Sequence, residues 1–133
     1  MTEKNVLIEF TKMHDAYIAD WNAAMLTGDT ASLDRMTEKY YVAFFRDTNE
    51  KPIFFNKHEA ISGMNQSVIH FLGATKKFDN RVIRLRNAEN AVVFFEQLVE
   101  KNNTVLARLF TIENWRLIDG QWMIVRETEE TIH

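Results

Sequence analysis

The sequence predicts an α+β fold: a curved, mainly antiparallel sheet with three helices of the N-terminal half packed on its concave face. Helical periodicity of apolar residues dominates the first part of the 133-residue chain. From residue 76 to the end, apolar segments instead alternate with turn signals. One Pro and four Gly leave little material for linkers, so residues 1–133 form a single predicted domain.

Residues 3–26 have the pattern of a long amphipathic helix, which Gly28 is expected to end. Asp29 then has the position of an N-cap for a short second helix carrying Leu33 and Met36. The apolar stripe of the first helix recurs at spacings of three and four, and it consists of Val6, Phe10, Met13, Tyr17, Trp21 and Ala24.

A β-hairpin follows, made of "YYVAFF" (40–45) and "PIFF" (52–55) around the polar "RDTNEK" (46–51). Asn56 and Glu59 then have the form of a capping box, which predicts the start of a third helix. Its buried stripe is expected to contain Ile61, Met64, Val68 and Leu72.

Four strands are predicted after residue 76, joined at Ala88-Glu89, Asn102-Asn103 and Asp119-Gly120. Directly opposed residues of antiparallel strands share a face, so two-residue turns place Glu113 opposite Arg126 and Arg81 opposite Glu96. The predicted concave face holds these pairs and Ile83, Leu85, Val92, Phe94, Leu98, Leu109, Trp115, Leu117, Trp122 and Ile124. A β-bulge would exchange the faces beyond it.

The opposite face is too apolar for a solvated sheet surface. Its apolar members are Val82, Val93, Phe95, Val99, Leu106, Phe110 and Ile112. We therefore expect a homodimer through the outer face, with Phe95, Phe110, Ile112 and Arg108 in the contact.

Composition excludes several classes of function. A net charge of −3 without a basic run disfavours nucleic acids and anionic membranes as partners. The absence of Cys excludes disulfides, thiolate catalysis and Cys-based zinc sites. No metal-ligand spacing, phosphate loop or nucleophile elbow occurs, so neither a metal nor a cofactor is predicted. The N-terminus does not have the form of a signal peptide, and no apolar run is long enough to span a bilayer, which predicts a cytoplasmic protein.

Three segments together resemble the nuclear transport factor 2-like superfamily, the cone-shaped fold that includes ketosteroid isomerase and the polyketide cyclases. They are "LTGD" (26–29) after the first helix, "FFNKHEAI" (54–61) before the third, and "ENWRLIDGQWMIV" (113–125) as the last hairpin. The resemblance covers nearly the whole chain. It implies a curved sheet around a hydrophobic pocket and a dimer through the outer face, but it does not imply one activity.

Ketosteroid isomerase combines an Asp base with an oxyanion hole of a Tyr and a protonated Asp. Aligned through these motifs, the helix Tyr falls near Trp21, the base near Phe45, and the protonated Asp at Glu113. Two of these three positions are apolar in this chain. The resemblance therefore does not imply isomerisation by that arrangement.

Glu113 and His14 are the candidate catalytic residues. A carboxyl group in a dry pocket can act as an acid or donate a hydrogen bond. The structural alternative for Glu113 is an ion pair with Arg126, which is common between opposed strand residues. His14 is either a general base at the pocket mouth or a boundary histidine without a chemical role.

Two functions of different class follow. The first is binding of a small hydrophobic molecule by a dimer without turnover, with Tyr17, Trp21, Phe94, Trp115 and Arg126 as the binding residues. The second is a cofactor-independent isomerase, lyase or cyclase acting on a hydrophobic carbonyl compound. In that enzyme Glu113 or His14 would move a proton, and Tyr17 or Arg126 would polarise the carbonyl. A dimerisation module without a ligand is a third interpretation.

Overall fold

The computed structural model describes residues 2–46 and 51–132. Its elements, in chain order, are α1 (Glu3–Thr27), a 3₁₀ turn (Ala31–Leu33), β1 (Met36–Phe45), β2 (Ile53–Asn56), α2 (Lys57–His70), β3 (Thr75–Asn87), β4 (Asn90–Lys101), β5 (Thr104–Ile118) and β6 (Gln121–Thr131). The predicted first and third helices, the hairpin strands and the four-strand meander thus have counterparts. Residues 47–50 of the predicted hairpin loop lie outside the described residues.

The structure confirms the long first helix that the sequence pattern predicts. The Thr2 side chain caps it by accepting from the Asn5 backbone N–H, and Gly28 ends it in the left-handed conformation at φ 84°. A glycine suits this end because residues with a Cβ rarely adopt that conformation. The stripe facing the sheet includes the fully buried Phe10 and His14.

The prediction of three helices is wrong, because only α1 and α2 are α-helices within the described residues. Asp29 does start a turn, since its Oδ1 accepts from the Ala31 backbone N–H at 3.0 Å. The turn continues only to Leu33. Met36, predicted as helical, instead begins β1 and pairs with Ile124 of β6. Sheet pairing therefore overrides the local helical pattern.

Asn56 and Glu59 form the predicted capping box at the start of α2. Asn56 Oδ1 accepts from the Glu59 N–H, and Glu59 Oε1 accepts from the Asn56 N–H. Val68 is fully buried on the inner side of α2, whereas Leu72 lies beyond the helix and is exposed. Of the residues predicted for the buried stripe of α2, Val68 is therefore the one that is fully buried, and Leu72 is not part of the stripe.

Within the described residues, six strands form one sheet in the order β2-β1-β6-β5-β4-β3. All neighbours are antiparallel except β1 and β6, which run parallel. The predicted α+β fold with a curved, mainly antiparallel sheet is thus confirmed in its coarse form. Helix α1 packs against β3, and α2 packs against β1 and β2.

A β-bulge in β6 corrects the predicted pairing of Glu113. Trp115 lies opposite Ile124 as expected, but Asn114 lies opposite Arg126, so Val125 is an extra residue. Glu113 consequently faces Glu127 instead of Arg126. Because side chains alternate between faces, this one extra residue moves Arg126 to the outer face and turns Glu127 inward.

Further bulges correct the faces of β3 and β4. The β4–β5 register shifts between Val99 and Glu100, and the β3–β4 register shifts in the middle of β3, after Asp79, and again near its end, after Leu85. The predicted concave residues Val92, Phe94 and Leu98 therefore belong to the outer side of β4. Val93, Phe95 and Val99, predicted on the outer side, are buried inside.

The predicted ion pair between Arg81 and Glu96 is also wrong. Glu96 binds Arg108 across the outer face, with the Arg108 Nε 3.0 Å from Glu96 Oε1. Arg81 follows Asn80, whose φ of 56° marks the bulge in β3, and its side chain reaches α1. No helix among the described residues is long and apolar enough to cross a membrane.

Candidate functional site: an acid-lined cavity

The sheet and the two helices enclose a cavity of about 410 Å³. Aromatic and aliphatic side chains from both helices and from β1, β2, β4 and β5 make most of its wall. They are Tyr17, Trp21, Met25, Leu33, Met36, Tyr40, Val42, Phe44, Phe55, Ala60, Met64, Phe71, Phe95, Val99 and Leu109. This is the concave, largely apolar shape that small-molecule sites have.

Three carboxyl groups face this cavity from two adjacent strands. Glu113 of β5 lies directly opposite Glu127 of β6, and Glu129 is the next inward-facing residue of β6. Residues two apart along a strand are separated by about 7 Å. Like charges at opposed positions repel each other, so this arrangement costs stability unless something compensates for the charge.

Glu113 is compensated by hydrogen bonds within the core. Its Oε1 lies 2.8 Å from His14 Nε2 and accepts from the Trp115 indole N–H at 3.0 Å. Glu113 and His14 are almost completely buried, with 2% and 0% of their surfaces exposed. The two predicted catalytic residues are therefore in direct contact, but with each other.

Arg81 determines the tautomer of His14. Its Nη1 is 3.0 Å from His14 Nδ1, and its Nη2 donates to Asp15 Oδ1 at 2.7 Å. A guanidinium group has only donors, so Nδ1 must accept and the imidazole proton lies on Nε2. That proton points at Glu113. Both nitrogens of His14 are thus engaged, which leaves neither for a ligand in the cavity.

Glu127 has a different environment from Glu113. It is half-buried, and its Oε1 accepts from the Tyr40 hydroxyl at 2.7 Å. Burial, followed by the charges of Glu129 and Glu113, raises the pKa of Glu127 well above its ordinary value. The Tyr40 hydrogen bond and Lys76 oppose this shift only in part.

The pKa of Glu129 is also raised. Burial is the main cause, and the charge of Lys76 offsets part of the effect. Burial lowers the pKa of the Lys76 ammonium to about 8, because the acids around it only partly offset the loss of water. The Lys76 Nζ lies over the Trp21 ring, 3.2 Å from its centroid, in a cation–π contact.

Two phenols also line the cavity, together with the polar side chains of Arg46, Glu59, Ser67 and Gln97. Burial and the neighbouring Glu127 raise the pKa of Tyr17 and of Tyr40. Both hydroxyls therefore remain protonated donors at neutral pH. Tyr40 uses its proton on Glu127, whereas the Tyr17 ring packs edge-on against Trp115 at 5.2 Å.

Among the predicted binding residues, Tyr17 and Trp21 line the cavity. Trp115 lies behind the wall, in the core, as a donor to Glu113. Two positions are wrong. Phe94 is 38% exposed on the outer face, and Arg126 also lies there, with its Cζ 5.1 Å from the Tyr41 ring centroid and its Nη2 donating to Thr128. The bulges described above account for both errors.

Glu127, Glu129 and Lys76 are cavity residues that the sequence pattern did not predict. A signal was present, because "RETEET" (126–131) alternates in the manner of a strand with one acidic face. The bulge at Val125 decides which of these residues turn inward. Among the described residues, no group of three or more His, Asp and Glu side chains is placed to hold a metal ion.

The residues predicted in a dimer contact are divided between the two faces. Phe110 is 53% exposed on the outer face, Ile112 is half-buried there, and Arg108 is exposed. Phe95 is wrong for this role because it is buried and lines the cavity. Phe94, and not Phe95, is the phenylalanine of β4 that lies on the outer face.

No family model and no curated protein matches the sequence. Solved structures do match its shape. A protein of unknown function with a cystatin-like fold from Nostoc punctiforme PCC 73102 has a TM-score of 0.67 at 16% identity, covering 88% of this chain and 86% of that one. A nuclear transport factor 2-like protein of unknown function from Shewanella baltica OS155 has a TM-score of 0.66 at 12% identity, covering 100% and 98%.

A third match is a protein from Parabacteroides distasonis ATCC 8503 that is provisionally described as a ketosteroid isomerase. Its TM-score is 0.60 at 16% identity, and the match covers 86% of this chain and 84% of that one. The chain therefore has the nuclear transport factor 2-like, cystatin-like fold. At these identities the likeness defines the fold alone, and the activity has to be argued from the cavity.

Proposed function

We propose that the protein binds a small, largely apolar molecule in the cavity between its sheet and helices. The observation that carries this proposal is the cavity itself, about 410 Å³ with mainly aromatic and aliphatic walls. Pockets that hold small ligands have volumes of about 300–1,000 Å³ and few polar groups. The polar groups of this cavity lie mostly on its sheet side, which supports binding of a molecule in a fixed orientation.

The proposal is tested with N-phenyl-1-naphthylamine, a neutral probe whose fluorescence increases in apolar sites. We expect saturable binding of one probe per chain. Gly63 of α2 lines the cavity, and a Cβ built there meets no atom within 4 Å. Gly63 is exposed, so Gly63→Leu should extend a side chain into the open space beside the cavity wall, weaken binding at least tenfold and leave the fold intact.

Ser62→Leu is the matched control, because Ser62 is exposed on the same helix and does not line the cavity. It should bind the probe as the unmodified chain does. A linear, non-saturating increase in fluorescence, or equal loss in both variants, would contradict the proposal.

A second candidate function is supported by Glu127: a cofactor-independent enzyme acting on a hydrophobic carbonyl compound. The raised pKa of Glu127 suits a group that takes up and returns a proton. Tyr40 donates its one proton to Glu127, whereas the nearby Tyr17 is a protonated phenol that can donate a hydrogen bond to a developing enolate. Glu127 thereby replaces Glu113 and His14 as the proton carrier, since Glu113 and His14 are hydrogen-bonded to each other.

Exchange of the α-protons of 2-tetralone in D₂O, followed by NMR, tests this candidate. Glu127 would remove an α-proton, lose it to solvent and return a deuteron. We expect exchange faster than in buffer, and loss of that acceleration in Glu127→Gln. Glu130→Gln, on the exposed side of the same strand, should have no effect. No acceleration by the unmodified protein would exclude the enzyme for this class of ketone.

We also propose that two copies associate through the outer sheet face. Val82, Phe94 and Phe110 are 56%, 38% and 53% exposed there. Apolar patches on a sheet face commonly mark protein contacts, and a second copy is the simplest partner.

A further inference from the structure

The cavity wall holds more acids than bases. Glu113, Glu127 and Glu129 on the sheet and Glu59 on α2 contribute four carboxyl groups, whereas Lys76 and Arg46 contribute two cationic groups. Glu113 receives two hydrogen bonds from the core, so its charge is partly balanced there. Glu127 receives one from Tyr40. The carboxyl groups of β6 are consequently the less satisfied acceptors of the cavity.

Lys76 does not satisfy these acids by direct contact. It is 8% exposed, and its Nζ rests on the face of Trp21. No ion pair joins it to a carboxylate of the residues that the structure describes. The lysine nevertheless shows which chemistry the cavity accommodates, since an ammonium group here lies between an aromatic face and acids.

Gln97 provides an independent observation. It lines the cavity from β4, it is only 9% exposed, and its amide forms no hydrogen bond with any described residue. The buried side-chain polar atoms that lack a partner among the described residues are Thr111 Oγ1 and Arg126 Nε, so the Gln97 amide is instead accessible from the cavity, where water or a ligand can bind it. Its position in the wall points to a polar group of a bound molecule.

We infer that the ligand of the cavity is an organic cation, an apolar molecule with a protonated amine that binds Glu127, Glu129 and the Gln97 amide. This inference rests on the proposed binding function and specifies its ligand class. The ammonium group supplies the donors and the positive charge that these groups lack, and the apolar body packs against the aromatic wall. A metal ion fits less well, because the described acids are not grouped for coordination.

The titration behaviour of the acids supports the same chemistry. Burial, followed by the charges of Glu129 and Glu113, raises the pKa of Glu127, and burial together with the charge of Glu113 raises the pKa of Glu129. A cation placed between them favours their ionised forms and lowers both pKa values. Binding of an amine should therefore release protons, whereas binding of a neutral molecule should not.

Three probes with one apolar body separate the possibilities: 2-(2-naphthyl)ethylamine, 2-(2-naphthyl)ethanol and 2-naphthylacetate. Titration calorimetry of the full chain at pH 7 gives their affinities. We expect the amine to bind at least tenfold more tightly than the alcohol, with the carboxylate weakest. Titrations in two buffers of different ionisation enthalpy should show proton release for the amine alone.

Single substitutions test which carboxyl groups cause the preference for the amine. Glu127→Gln and Glu129→Gln should each reduce the preference for the amine over the alcohol by at least fivefold. Glu130→Gln, exposed on the same strand, is the matched control and should retain the full preference. Circular dichroism establishes that each variant is folded before titration.

Two failures are distinguishable. If the alcohol or the carboxylate binds as tightly as the amine, the inferred ligand class is wrong and the proposed binding function stands. If none of the three binds and N-phenyl-1-naphthylamine also fails, the binding function itself is wrong. Equal loss of amine preference in Glu130→Gln would contradict the assignment to Glu127 and Glu129.

Discussion

Glu113 and Glu127 lie directly opposite each other on neighbouring strands, yet their surroundings differ completely. Glu113 is 2% exposed and accepts from His14 and Trp115, with Arg81 behind the imidazole. Glu127 is half-buried in the cavity wall and accepts one hydrogen bond, from Tyr40. Two glutamates on the same face of the sheet thus differ in role. Glu113 is hydrogen-bonded within the core, whereas Glu127 is available to a ligand.

This difference shows why a buried acid is a poor indicator of function by itself. Glu113 has the most hydrogen-bond partners, and all of these partners belong to the core of the protein. The acid with few partners and a raised pKa is the better candidate for chemistry or binding. Substitutions that affect stability and binding in opposite ways can test this division.

The largest effect is expected for Glu113→Ala. It leaves the N–H groups of His14 and Trp115 buried without an acceptor, at about 1–3 kcal/mol each. We expect the free energy of unfolding to fall by about 3 kcal/mol or more in urea denaturation. Glu96→Ala, which removes an outer-face partner of Arg108, should cost less than about 1 kcal/mol. Equal losses in the two variants would contradict the structural role of Glu113.

The opposite sign is expected for Glu127→Gln combined with Glu129→Gln. These changes remove two carboxylates that burial disfavours and that repel each other. At pH 8 we expect the free energy of unfolding to rise by about 1 kcal/mol. A loss as large as that of Glu113→Ala, measured in the same urea series, would remove the distinction between the two sites.

The fold was predictable from the sequence in most respects. The stripe of α1, the Asn56–Glu59 box and the turns at Asn102-Asn103 and Asp119-Gly120 are local signals, and each is present in the structure. The short second helix, predicted to carry Leu33 and Met36, is absent because pairing of Met36 with β6 competes with a weak local preference.

The site was less predictable, because it depends on register. One extra residue, Val125, exchanges Arg126 for Glu127 in the cavity wall. Bulges arise from twist and long-range pairing and have no reliable signature in a single sequence. Tyr17, Trp21 and Glu113 line the cavity as predicted, because α1 precedes the sheet and the extra residue lies in β6 and not in β5, whereas Phe94 and Arg126 do not line it.

The pH dependence of stability sharpens the comparison. Because the folded-state pKa values of Glu127 and Glu129 lie above the ordinary 4.5, the folded state holds more protons, and their contribution to stability falls as pH rises from 4.5 through the raised values. The Lys76 pKa of about 8 lies below the ordinary 10.5, so its contribution rises between pH 8 and 10.5.

Urea denaturation at pH 5, 8 and 10 measures both contributions. The difference in stability between the unmodified chain and Glu127→Gln/Glu129→Gln should grow from pH 5 to pH 8. Lys76→Met should remove the alkaline increase. Parallel pH profiles for all three proteins would show that these groups titrate alike in the folded and unfolded chains, contrary to our account.

The smallest effect on stability is expected at the outer face. Phe94→Ser with Phe110→Ser replaces exposed side chains, so the free energy of unfolding of the chain should change by about 0.5 kcal/mol or less. Sedimentation equilibrium at micromolar concentration should nevertheless shift from dimer to monomer. A monomeric unmodified protein would rule out the proposed dimer without affecting the cavity.

The division between Glu113 and the acids of β6 is tested most directly by NMR of the glutamate side-chain ¹³Cδ signals during titration with 2-(2-naphthyl)ethylamine. The Glu→Gln variants assign the signals. We predict that the largest shifts belong to Glu127 and Glu129, and that the Glu113 signal moves little because its hydrogen bonds to the core persist. The largest shift at Glu113, with Glu127 and Glu129 unchanged, would contradict the account.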